Sequence, residues 1–427
     1  MSRNVKVLLI VSVLFGVAGG LYEFVLPYYL TGRSISFRNM GTIFALSAAG
    51  MFFVRLGVGE AADVWSRKRL YLLALVVSAG AFFVTPLTAS VWLLVGLKTL
   101  RDGGLLMRDT VHPILLYQEN RGRFLDFIGK TRGIEYTFQA AGTLIGGTML
   151  VAWGSIRSLG IGGTVLLTAL LLLAVGVHEL KTKPPGSSEA NPGQIVSAPS
   201  EPKDGATPSQ MSGKPSTISN KPRLATFFTR DMDRNLKTIM FANFIFSIGL
   251  STSHCFIMPL FFSQKFGVSV TTVATVMLIH RLTLGLPMLF VAHVPPHHFK
   301  KVYLVTVILE GLSMSLGGII PHFFWASAIW LLHDLIGAGI WIPIQSTIIQ
   351  QCCREETRGR DLSKTLVFSA LGGAIGPLLA GYLAGRSISA PFVVSGLIVL
   401  LSVLPLVRLS LPVTTTVEGG AKMAEAL

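Results

Sequence analysis

Hydrophobic residues along this chain come in long runs separated by short polar punctuation. Runs of roughly 18–27 residues recur at 7–30, 41–58, 70–88, 91–116, 133–152 and 158–178. After a gap they resume at 236–262, 269–292, 302–320, 323–348, 364–384 and 388–408. A helix needs about 20 apolar residues to cross a bilayer, so the pattern predicts twelve membrane spans, six before the gap and six after. The first run continues past Ala18-Gly19-Gly20 through Phe24 to Leu30, which makes it a retained span rather than a cleaved signal peptide.

The gap, 181–231, holds PPGSSEANPG, SAPSEPKDGATPSQ and GKPSTISNKP. Such Pro, Ser and Gly content buries no core, so a disordered linker is expected, ending in a short surface segment around Leu224 to Arg230. The expected organisation is therefore a six-helix unit over 1–180, the linker, a second six-helix unit over 232–410, and a tail over 411–427.

Composition agrees. Of 427 residues, 51% are hydrophobic and 13% charged, about half the charge of a soluble domain. The net charge of +15 is spread over loops, with no basic, aromatic-interleaved patch for nucleic acid. With the N-terminus inside, the short inner segments hold seventeen Lys and Arg against five outside. That bias places both termini and the linker in the cytoplasm. Cys255, Cys352 and Cys353 form no disulfide framework.

The two halves repeat each other. Met1-Ser-Arg-Asn-Val-Lys6 returns as Met232-Asp-Arg-Asn-Leu-Lys237, and Phe24-Val-Leu-Pro27 as Phe256-Ile-Met-Pro259. Arg55-Leu56 with Gly59 matches Arg281-Leu282 with Gly285. Glu119 to Arg123 matches Glu356 to Arg360. Phe138, Gly142, Ile145 and Gly146 match Phe368, Gly372, Ile375 and Gly376. Five collinear matches point to a duplicated unit of the kind from which secondary transporters are built.

Between spans two and three stands Gly59-Glu-Ala-Ala-Asp63-Val-Trp-Ser-Arg67-Lys68-Arg69. This resembles the G-x-x-x-D-x-x-x-R-[KR]-[RK] loop of the major facilitator superfamily, although Ser66 stands where the family usually has Gly. The resemblance implies an all-α transporter of twelve transmembrane helices in two pseudo-symmetric six-helix bundles. It also implies that the Asp63 loop meets the other half at the cytoplasmic face. Gly59, Asp63, Arg67, Arg108, Asp109 and Arg358 are then the candidate gate and interface residues. The second copy, Val291 to Tyr303, has lost its acid. The chain as a whole also looks like the permeases of bacterial magnetosome membranes, which would imply iron.

Ionisable groups within spans are costly and mark function. In the family, spans one, four, seven and ten line the central cavity, and here they carry most of these groups. Glu23, Arg101, Asp102, His254, His333 and Asp334 are the candidate transport and coupling residues. Seven residues separate Arg101 from Arg108, so both share one helix face, with Asp102 and Asp109 on the adjacent one. Glu23, His254 and Asp334 suit a transition metal, since imidazole and carboxylate bind iron, manganese or zinc. The same groups suit proton relay. A buried ion pair that only orients helices is the plain alternative.

The expectation is a secondary transporter for a small polar or ionic solute, proton-coupled and without a cofactor. No nucleotide-binding motif and no enzymatic chemistry are indicated. A monomer or loose oligomer in a bacterial inner membrane, or a compartment derived from it, is expected. A hydrophobic drug/proton antiporter, and a scaffold that kept the fold but lost transport, remain alternatives. Span five lacks the Gly-Pro pair that such antiporters carry, having Gly146-Gly147 instead.

Overall fold

A computed structural model of the chain describes residues 2–119, 124–177, 232–288, 291–354 and 358–411. The expected linker and the tail beyond residue 411 lie outside the described residues.

The first half comprises α1 (Arg3–Gly32), α2 (Phe37–Val64), α3 (Arg67–Val84), α4 (Val91–Glu119) and α5 (Phe124–Gly176). The second comprises α6 (Arg234–Ser253), α7 (Ile257–Phe266), α8 (Val270–Met288), α9 (Phe299–Ile319), α10 (Phe323–Leu332), α11 (Gly339–Cys352), α12 (Arg358–Ala384), α13 (Ala390–Leu401) and α14 (Val403–Leu406). Among the described residues, nine helical stretches are long and apolar enough to cross a membrane. One of them, Gly133–Gly176, runs for 44 residues and holds two crossings. The chain turns within it at Gly154, whose φ of 75° and ψ of 170° favour a residue without a β-carbon. Lys98, Arg101, Asp102, Arg108 and Asp109 make α4 too charged to count by composition, and Ala390–Leu406 is a shorter apolar stretch. With these three the crossings among the described residues number twelve, so this is an all-helical, multi-pass membrane protein.

Glycines set the packing of each bundle. A β-carbon on Gly20 would overlap the Gln139 carbonyl, and one on Gly142 the Val17 carbonyl, so α1 and α5 touch backbone to backbone. The second half repeats the contact. Gly372 and Gly376 of α12 lie against Phe244, Ile248 and Ser251 of α6. The sequence repeat is thus a repeat of helix pairing.

Two departures from the expected elements bear on the site. Span seven, expected as one helix over 236–262, breaks into α6 and α7 at His254–Phe256. Pro259 has no N–H to offer the Cys255 carbonyl, so a continuous helix would lose that bond and clash there. Span ten widens into a π-helical turn over His333–Ala338, a feature common at functional sites.

The bundles meet near the Gly32 end of α1. Gly41 of α2 packs on Pro377 and Gly381 of α12, and Gly147 of α5 on Ala274 of α8. The Tyr28 hydroxyl donates to the Pro259 carbonyl at 3.1 Å. Phe37 and Phe44 stack around Phe256, at centroid distances of 6.4 and 5.4 Å.

Candidate functional site

A cavity of about 340 Å³ lies between the bundles, lined from both halves. That is within the range of small-molecule sites. Its first wall comes from α1, α4 and α5. Because Gly20 admits α5 so closely, Gln139 reaches Glu23 and donates to it at 2.9 Å. On α4, Lys98 and Arg101 both hold Asp102, at 2.6 and 3.0 Å, and Ser47 adds a hydrogen bond at 3.0 Å. The Arg101 guanidinium lies 4.7 Å from the Tyr22 ring centroid and 3.8 Å from the Glu23 carboxylate.

The second wall comes from α7, α8 and the turn before α7. Arg281 of α8 crosses between the halves to Glu23 at 2.9 Å. Glu23 thus receives Arg281, Gln139 and the approach of Arg101. Three cations, Lys98, Arg101 and Arg281, face the cavity with two carboxylates, Glu23 and Asp102. The cavity wall carries one positive charge more than it neutralises.

Behind this wall sits a cluster of imidazoles. His254 and His280 line the cavity, while His333, on the π-helical turn, is fully buried behind them. His254 Nε2 lies 2.8 Å from His333 Nε2, and His280 Nδ1 bonds Asp334. Trp330 packs against His280 and His333, with centroids 4.8 Å from each.

Of the residues singled out in the sequence, Glu23, Arg101, Asp102 and His254 meet at the cavity. His333 and Asp334 join through His254 and His280. The proposed metal set of Glu23, His254 and Asp334 is not the grouping that appears. Glu23 is taken up by Arg281 and Gln139, and the clustered ligand atoms belong to His254, His280 and His333. Lys98 on span four, and His280 and Arg281 on span eight, are site residues absent from the candidate set. The available signal was two adjacent ionisable groups inside span eight, but which face they share with the cavity depends on the rotation of α8.

The gate candidates divide. Arg108 lies inside the first bundle rather than between the bundles. It is fully buried, 2.7 Å from both Asp109 and Glu135 and 3.0 Å from Ser12 Oγ. Asp109 is about one-third exposed. Arg67 opens α3, capped by Ser66, whose hydroxyl accepts from the Arg69 amide at 3.3 Å. Ser66 thus serves as a helix cap where the family's loop has Gly. Gly59, Asp63 and Arg358 lie on helical backbone, and their surroundings fall outside the described residues.

Residues 239–426 match the sequence model of the Major Facilitator Superfamily. No curated protein matches the sequence. Among solved structures, the chain is similar to the nucleoside transporter NupG, with a TM-score of 0.69 at 14% identity, covering 95% of this chain and 98% of that one. It is also similar to a bacterial homologue of the human lysosomal transporter Spinster, with a TM-score of 0.68 at 13% identity over 95% of both chains. A bacterial homologue of the iron transporter ferroportin aligns with a TM-score of 0.64 at 11% identity, over 96% of this chain and 99% of that one. The chain therefore carries a match to the Major Facilitator Superfamily over residues 239–426 and shares the fold of these transporters along nearly its whole length.

Proposed function

We propose that this protein is a proton-coupled secondary transporter that carries a small polar or ionic solute by alternating access. The observation that supports this most is the Glu23–Arg281 ion pair, which joins the two bundles inside the central cavity. A contact of this kind is available in one arrangement of the bundles and broken in another, which is what a transport cycle requires. The excess positive charge of the cavity favours a solute with an acidic group. Iron, the solute implied by the magnetosome resemblance, fits as a complex with acidic ligands, and the ferroportin homologue's likeness is compatible with it. The seam described above supports a conformation closed near the Gly32 end of α1.

Uptake into proteoliposomes separates this reading from its competitors. Purified protein should accumulate an acidic solute or iron chelate under an imposed pH gradient. Asp102→Asn and Asp334→Asn together should cut the rate at least about tenfold, the order expected when buried charge pairs are broken. Export of hydrophobic dyes with no effect of solute charge would favour a drug antiporter. No gradient-driven flux of any compound, in folded protein, would favour a scaffold.

The proposed topology has both termini and the 181–231 linker in the cytoplasm, supported by the basic-residue bias. Protease added to inverted vesicles should then cut the linker, and right-side-out vesicles should resist. Cutting from outside would reverse the orientation.

A further inference from the structure

We propose that His254, His280 and His333 form a binding site for one divalent first-row transition-metal ion on the second-half wall of the cavity. The inference concerns binding alone and holds or fails whatever solute the cavity carries. It rests on where the imidazole protons must be.

The Ser395 hydroxyl donates to the Gly249 carbonyl at 2.6 Å, since a carbonyl only accepts. Ser395 is therefore the acceptor in its 2.9 Å contact with Ser253, and Ser253 is the donor. With its one proton committed, Ser253 accepts from His254 Nδ1 at 2.9 Å. His333 Nδ1 faces the Trp330 carbonyl and must donate to it. In their neutral forms both rings then carry a lone pair on Nε2, and those two atoms face each other at 2.8 Å. Two lone pairs at that distance repel, so the arrangement calls for a cation shared between them. His280 completes the pattern. Its Nδ1 is engaged by the Asp334 carboxylate, which leaves Nε2 as the free ligand atom.

Three imidazoles, each with Nδ1 held from behind by a hydroxyl, a carbonyl or a carboxylate, are the arrangement that orients histidines on a metal. One ring nitrogen from each of the three histidines lies within 4.8 Å of the others. Tetrahedral coordination at 2.0–2.1 Å sets nitrogen atoms about 3.3 Å apart, so adjustments of an ångström or so suffice. His254 can supply them, because it stands at the break between α6 and α7 outside regular helix. Asp334 Oδ1 lies 3.5 Å from His333 Nε2 and offsets one of the two charges. Arg281, the nearest cation in sequence, is tied to Glu23. His254 and His280 both line the cavity, so an ion held by the three rings would stand at its wall. An all-imidazole set suits zinc, iron, copper or nickel.

The test uses full-length protein in detergent, stripped with a chelator and titrated with cobalt(II) alone. Wild type should bind one equivalent with the intense visible bands of tetrahedral nitrogen-ligated cobalt. His254→Gln and His333→Gln should each weaken binding at least about 100-fold. Asp334→Asn should weaken it about 10- to 100-fold, as loss of an outer-shell carboxylate does. Replacing the exposed loop pair His297 and His298 with Ala should leave the bound equivalent unchanged. Absence of stoichiometric binding by folded wild type would mean that a proton alone bridges the rings, and the proposal falls. Binding that persists unaltered in His254→Gln also overturns it, and that variant, at a half-buried turn, remains informative if His333→Gln does not fold.

Discussion

Arg108→Met should destabilise the protein by about 3–5 kcal/mol, the range for removing one partner of a buried ion pair. The guanidinium is fully buried among α1, α3, α4 and α5, with Asp109 and Glu135 each at 2.7 Å, Ser12 at 3.0 Å and the Phe15 ring beneath it at 4.9 Å. Methionine fills part of the volume but removes the Arg108 contact of a nearly buried Glu135 carboxylate. Thermal unfolding in detergent reads the loss directly. Adding Glu135→Gln should restore part of it, because the buried carboxylate that Arg108 served is then neutral. A loss below about 1 kcal/mol would place Arg108 among ordinary exposed pairs and remove it as the fastener of the first bundle.

Glu23→Gln should abolish accumulation driven by a proton gradient, a reduction of at least about 100-fold, the low end of what a positioned proton-transfer group contributes. Exchange of solute across the membrane should survive. Glutamine keeps the shape and can still meet Gln139 and Arg281, so the cavity persists. What disappears is the carboxylate that the proposed coupling requires. Counterflow in proteoliposomes, run beside uptake under an imposed pH gradient, distinguishes the two properties. Undiminished gradient-driven uptake would take Glu23 out of coupling.

The crossings, the duplication and half of the cavity were legible because each leaves a local trace. Span length is counted in apolar residues, and Glu23, Arg101 and Asp102 are conspicuous charges in apolar runs. Arg281 was not legible as the partner of Glu23, since 258 residues separate them and only packing brings them to 2.9 Å. His280 carries the same lesson. Its alignment with His254 and His333 depends on a broken helix and a π-helical turn, and neither has a hydropathy signature. Pro259 does mark the break, yet Pro27, its counterpart in the repeat, sits inside the unbroken α1. Glu310 was visible as a charge in span nine. Its burial against Trp341 Nε1 was not, because an indole donor in an apolar run looks like any other aromatic residue.

The meeting of Gly41 with Gly381 has a mechanical meaning. Where helices cross on side chains, ridges lock into grooves and each relative angle is a separate well. Where they cross on bare backbone, there is nothing to interlock, and one rod rolls over the other without first climbing out of a groove. If the halves rock as proposed, the crossing of α2 and α12 would act as a bearing rather than a clasp. Resistance to that motion would then come from contacts elsewhere, among them Arg281 to Glu23, Tyr28 to the Pro259 carbonyl and the rings around Phe256. On the proposed function, such a division of labour would let single bonds set the state while the hinge stays indifferent to which way it has turned.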